Sequence, residues 1–167
     1  MDGWFTTIYK PGLQRSKSSQ DLFCDDFSQT PEALGELSKV CLPDWARPGR
    51  GEDLLDNLTL LEVISSIDPS DLDQGGLEDC WLVCCLAALA EFPHLVKGMV
   101  EPCSLSTDGR YTVALYDYKT QVRESVVVDD RLPTLRSGRP AFTNATESGE
   151  IWPCLVEKAL AKHLGGY

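Results

Sequence analysis

The stretch Gln74-Gly75-Gly76-Leu77-Glu78-Asp79-Cys80-Trp81 sets a glutamine amide six residues before a cysteine that opens an apolar run. Those residue types suit a thiol nucleophile with half of an oxyanion hole. At a helix N-terminus, backbone N–H groups and the positive end of the helix dipole favour a thiolate, the form that attacks a carbonyl carbon. A Gln side-chain N–H₂ brought beside the N–H of Cys80 supplies the two donors that the oxyanion of a tetrahedral intermediate requires.

The elements that must position these groups can be read from periodicity and breakers. Cys80 to Phe92 is apolar almost all round, with Asp79 as a suitable N-cap and Pro93 as a stop, which predicts a helix buried in the centre of the domain. Trp81 is expected to pack beside the thiol. Asp68-Pro69-Ser70-Asp71 predicts a turn leading into the Gln74 segment, and Asp53 to Ser65 predicts a short helix. Tyr111 to Tyr116 and Val122 to Val128 read as strands of an antiparallel hairpin joined across Asp117 to Gln121. Glu150 to His163 reads as a final helix with Pro153 in its first turn, stopped by Gly165-Gly166.

Residues 1–40 mix aromatics with Ser, Gln and Asp without a sustained period, and are read as a loosely ordered or partner-dependent leader. The Pro- and Gly-dense connector from Pro43 to Gly51, anchored by Trp45, opens the compact part, taken as residues 41–167.

At 167 residues and 43% hydrophobic content the chain can bury the core of one domain. Its net charge of −11, from 15 basic and 26 acidic residues, argues against a nucleic-acid or anionic-membrane surface. It is compatible with divalent-cation sites. The apolar run from Cys80 to Ala90 is too short to span a bilayer, no signal peptide is visible, and a cytoplasmic location is expected. Seven cysteines without paired CxxC spacing fit free thiols in a reducing compartment. Cys84 and Cys85, inside the predicted helix, are expected to be small core residues.

Three motifs now resemble one family: Gln-Gly-x-Leu-x-Asp-Cys-Trp, then Val127-Val128-Asp129-Asp130-Arg131-Leu132-Pro133, then Glu150-Ile151-Trp152 with Leu155-Val156-Glu157-Lys158-Ala159-x-Ala161-Lys162. In this order and spacing they are similar to the N-terminal half of the calpain catalytic core. The resemblance implies an α+β, papain-like fold in two calcium-responsive halves, acting as an intracellular cysteine endopeptidase on protein substrates. By position, Cys80 matches the nucleophile and Gln74 the oxyanion donor. Asp71 and Glu150 match acidic ligands of a Ca²⁺ site completed by backbone carbonyls near Ile64 and Ser66, an oxygen donor set of the kind Ca²⁺ prefers. Asp129 and Asp130, next to Arg131, read instead as an ion-paired turn.

Two features depart from that pattern. A thiol protease needs an imidazole and a group to orient it, yet the chain has only His94 and His163, both expected at the surface or as caps. Papain-like enzymes place His and Asn about 130 to 150 residues after the cysteine, beyond the reach of this sequence. The expectation is therefore a fragment, a truncated gene product or one half of a split enzyme, with a second protease half or subunit as a partner. The second departure is Glu78, where the family usually has Gly. Its carboxylate would oppose a thiolate two residues away and its Cβ would crowd the turn, unless it points to solvent. These departures motivate an alternative: a non-catalytic calpain-like module that binds calcium or protein.

Overall fold

The computed structural model describes residues 22–27, 33–34, 44–47, 61–134, 140–145 and 149–167. Along the chain these form β1 (Asp44–Ala46), a 3₁₀ turn (Pro69–Asp71), β2 (Leu72–Asp73), α1 (Cys80–Ala90), α2 (Pro93–Lys97) and β3 (Val100–Glu101). Then come β4 (Arg110–Asp117), β5 (Val122–Asp129), β6 (Leu132–Thr134), β7 (Asn144–Ala145) and α3 (Trp152–Leu164). The order β3-β4-β5 makes an antiparallel sheet, while β1 pairs with β6 and β2 with β7, also antiparallel.

The hairpin follows the β-branched and aromatic runs that predicted it, with Tyr111 opposite Val128 and Val113 opposite Val126. Alternation sends Tyr111, Val113 and Val128 inward, each at most 1% exposed, onto one face of α3. That helix is the centre of the molecule: every residue from Trp152 to Ala159 is buried, Glu157 and Lys158 included. Gly165 ends it in the left-handed conformation, φ 99°, where a residue without Cβ carries no steric penalty.

A buried central helix was expected at Cys80 to Phe92, and the structure corrects this. α1 presents Leu82, Leu86 and Ala90 to the core, one stripe at four-residue spacing, while Trp81, Cys84, Cys85 and Ala88 face solvent. An apolar composition all round shows that a helix can be covered on every side, not that this chain covers it. Cys84 and Cys85 are accordingly exposed thiols rather than core residues, and among the described cysteines Cys154 in α3 is the buried one. Residues 61–65 of the predicted Asp53–Ser65 helix form bends and a bridge, Glu62 to Glu150, and residues 53–60 lie outside the description. Val63 still reaches the core, at 0% exposure.

Pieces of the N-terminal segment pack on this framework. The Phe23 amide donates to the Asp108 carbonyl at 2.8 Å, and Tyr167 donates its amide to the Ala33 carbonyl at 2.7 Å. Trp45 acts as the expected anchor, its ring 6.3 Å from that of Tyr167 and 5.8 Å from the Lys158 ammonium. No described helix is long and apolar enough to cross a membrane.

Candidate active site

Backbone contacts hold the start of the Gln74 to Cys80 segment. Gly76 donates its amide to the Ala141 carbonyl at 2.8 Å, and β2 pairs with β7 immediately before the turn. A Cβ at position 75 would lie 2.4 Å from the Phe142 oxygen and 2.5 Å from that of Ala141, so only glycine fits. The doubled glycine therefore brings the strand end against the 141–142 segment and aims the chain into α1. Cys80 is the first residue of that helix and is exposed to solvent.

Gln74, also exposed, donates Nε2 to the Leu77 carbonyl at 2.7 Å. One of its two amide hydrogens is thus engaged within the loop, and the other makes no bond among the described residues. Glu78 is exposed and shows no left-handed backbone, so its Cβ leaves the turn undistorted and its carboxylate points to solvent. Trp81 is 56% exposed, which corrects its expected role in packing beside the thiol.

Asp79 departs from its expected role as a side-chain cap. Its carbonyl accepts from the amides of Leu82 at 2.7 Å and Val83 at 3.2 Å, but its carboxylate makes no capping bond. The side chain is 6% exposed and turned inward, and both oxygens lack an N–H or O–H donor among the described residues. It shares the wall of a cavity of about 210 Å³ with Glu157, Leu82, Leu160 and Tyr167. Glu157 Oε1 accepts from Thr143 Oγ1 at 2.7 Å and from the Thr143 amide at 3.2 Å. Burial pushes the Glu157 carboxyl well above the usual carboxylate range, and the Asp79 side chain adds to the rise.

A second buried cluster holds the end of β5. Lys158 Nζ contacts Asp129 Oδ1 at 2.5 Å and Asp25 Oδ2 at 3.5 Å, and donates to the Arg131 carbonyl at 2.7 Å. Arg131 pairs with Asp129 at 2.5 Å, and Arg47 with Asp130. Burial works against the Asp129 anion, but the Arg131 hydrogen bond and the Lys158 charge outweigh it and hold the carboxyl below its ordinary value. The ion-paired turn expected at Asp129-Asp130-Arg131 is present, as an interior cluster rather than a surface one. Lys158 and Glu157 carried a readable signal: two charges side by side inside an apolar helical stripe.

Of the expected metal residues, the structure brings Glu150 to the loop of Ile64 and Ser66. Glu150 Oε1 accepts from the Ser65 amide and from Ser65 Oγ at 2.9 Å, and Oε2 accepts from the Trp152 indole at 3.0 Å. Asp71 closes the 3₁₀ turn that follows this loop, and its side chain lies outside the described part. Among the described residues no group of three His, Cys, Asp or Glu side chains forms a metal cluster. The Ser65 amide and hydroxyl hold the Glu150 carboxylate beside this loop, and the side-chain and carbonyl oxygens there are of the donor type Ca²⁺ prefers.

Neither histidine approaches Cys80. His94 lies in α2, beyond the far end of α1, about 15 Å along the helix from the thiol. His163 Nδ1 sits 3.3 Å from Glu124 Oε2 on the hairpin.

An α+β core that presents a cysteine at the head of a helix, behind a glycine turn carrying a glutamine, is a papain-like thiol protease core. The family model described as calpain family cysteine protease matches residues 23–167. The chain is 33% identical over 156 residues to the calpain-type cysteine protease DEK1 of Zea mays, covering 92% of this chain and 7% of that protein. It is 33% identical over 162 residues to the human calpain-1 catalytic subunit, covering 92% and 22% respectively. With mouse calpain-8 it shares 35% over 175 residues, 98% of this chain and 23% of that one. The chain belongs to the calpain family of cysteine proteases. It spans less than a quarter of the length of the relatives it matches.

Proposed function

We propose that this chain is the nucleophile-bearing half of a calcium-dependent cysteine endopeptidase. The observation that carries the reading is Cys80, exposed at the first position of α1 at the end of a turn pinned by Gly75 and Gly76. The Cys80 thiolate attacks the peptide carbonyl carbon, and the Cys80 amide with the second Gln74 N–H holds the resulting oxyanion. The proton acceptor is an imidazole from outside residues 1–167, because both histidines of the chain are placed elsewhere. A histidine-bearing second half supplies it, with its orienting Asn, against the exposed side of α1. Glu150, Asp71 and the carbonyls of Ile64 and Ser66 would hold Ca²⁺, whose charge would tie the 61–66 loop to the start of α3. Protein substrates and a cytoplasmic location belong to the same reading.

The test is complementation. The chain alone leaves casein uncut. Mixed with the His- and Asn-bearing half of a calpain relative, it cleaves casein in the presence of Ca²⁺, and Cys80→Ser abolishes this. Cleavage that survives Cys80→Ser, or a folded complex that never cleaves, overturns the proposal. The second outcome returns the reading to a non-catalytic binding module. One observation favours that module: the Gln74 amide is engaged with its own loop at 2.7 Å.

A further inference from the structure

The Asp79 carboxylate, next in sequence to the thiol, is buried without a donor for either oxygen among the described residues. An anion in that state is strongly disfavoured, and structures do not keep it unless something neutralises it. Among the described residues no lysine or arginine pairs with it: Lys158, the neighbour of Glu157 on α3, is committed to Asp129 and Asp25. What lies against Asp79 is the Glu157 side chain, whose Oε1 already accepts from both Thr143 donors. Two facing carboxylates cannot both stay ionised in an interior. A single proton on the Glu157 oxygen not used by Thr143 resolves both problems, because it turns that oxygen into the donor Asp79 lacks.

We propose that Glu157 is a positioning residue for Cys80: it carries a proton, donates it to Asp79, and through that bond fixes the first turn of α1. The mechanical link is short. The Asp79 carbonyl accepts the amides of Leu82 and Val83, so a rotated Asp79 disturbs the hydrogen bonds that begin the helix and with them the direction of Cys80. The remaining groups around the pair are consistent. Cys154 and Tyr167 face Glu157 from α3 and the chain that follows it, and burial raises the titration of both, so they stay neutral beside it. Burial and the Asp79 charge raise that of Glu157 as well. The proposal rests on Cys80 as the nucleophile and adds the residue that aims it.

The experiment uses the full chain and follows iodoacetamide labelling of individual cysteines by mass spectrometry at pH 7. Cys84, exposed on the same helix, serves as the internal standard. In the wild type Cys80 labels faster than Cys84. Glu157→Ala lowers the Cys80 to Cys84 ratio about ten-fold, the factor one unsatisfied buried hydrogen bond is worth. Glu157→Gln, whose amide donates to Asp79 and whose carbonyl accepts from Thr143, keeps the ratio near wild type. General loosening of the fold would speed both cysteines together and leave no rescue by Gln. Infrared spectra give a readout independent of the alanine variant: the wild type shows the C=O stretch of a protonated carboxyl at pH 7, and Glu157→Gln lacks it. An unchanged ratio in Glu157→Ala, a Gln variant as impaired as Ala, or no protonated carboxyl overturns the proposal while leaving the nucleophile reading intact. A wild-type Cys80 no faster than Cys84 overturns both.

Discussion

Gly76 donates its amide to the Ala141 carbonyl at 2.8 Å, and this one bond joins the turn before the thiol to a segment 65 residues further along the chain. Gly75 beside it approaches the same backbone so closely that a methyl group would overlap carbonyl oxygens at 2.4 and 2.5 Å. At Gly76 the corresponding contact is 3.3 Å, which a small shift absorbs. Gly75→Ala should therefore lower stability by about 1–3 kcal/mol, the range for overpacking against backbone, and slow Cys80 labelling. Gly76→Ala should cost clearly less in the same urea titration. Equal costs would show that the 141–142 backbone yields freely and does not fix the turn.

What the sequence made legible follows from what periodicity and punctuation report. The hairpin, the final helix with Pro153 and Gly165, and Trp45 as an anchor were readable because β-branched alternation and breakers are local signals. Cys80 at the head of a helix and Gln74 in the preceding loop were readable from the motif. The orientation of α1 was not, since a helix that is apolar on all sides carries no stripe to say which side meets the core. Nor was the Asp79–Glu157 pair, which joins residues 78 positions apart. Asp79 looked like a cap because its type and place fit one, and tertiary contact with α3 overrode that local preference.

Lys158 balances two buried carboxylates, Asp129 at 2.5 Å and Asp25 at 3.5 Å. Lys158→Met keeps most of the length of the side chain but leaves those anions with Arg131, the more distant Arg47 and backbone amides, and should cost about 3–5 kcal/mol at pH 7. The folded-state pKa of Asp129 is depressed below its ordinary 3.8, so its stabilising contribution is present above that value and lost as pH falls through the lower folded one. The methionine variant lacks the main charge behind that depression. The gap between wild type and Lys158→Met should then narrow below about pH 4. Urea midpoints taken from pH 7 down to pH 3 measure it, and a constant gap would mean that the cost is one of packing.

Glu150 gathers the Ser65 amide, the Ser65 hydroxyl and the Trp152 indole, so it organises the 61–66 loop with or without an ion. Calorimetric titration separates the two roles. Asp71→Ala should weaken Ca²⁺ binding with little change in stability measured without calcium. Glu150→Ala should weaken binding and also lower stability by about 1–3 kcal/mol, because a buried indole N–H loses its acceptor. Unchanged calcium affinity in both variants would remove the site and leave Glu150 a purely structural carboxylate.

Glu157 faces Asp79, Thr143, Cys154 and Tyr167, with no cation among them, and its carboxyl lies well above the ordinary 4.5. For a group whose folded value is raised, the proton is bound more tightly in the native state. Its contribution is complete below the unfolded value and is lost as pH rises through the folded one. Glu157→Gln has no such titration, since its amide is neutral throughout. Relative to Glu157→Gln, the wild type should therefore lose stability as pH rises from about 4.5, levelling once the folded group has titrated. Near pH 4 the two proteins should be closest to equal. Melting temperatures of both proteins between pH 4 and 9 test this. A difference that stays flat, or a wild type that gains on the glutamine variant with rising pH, would mean that Glu157 is ionised in the fold and that Asp79 draws its stabilisation from elsewhere.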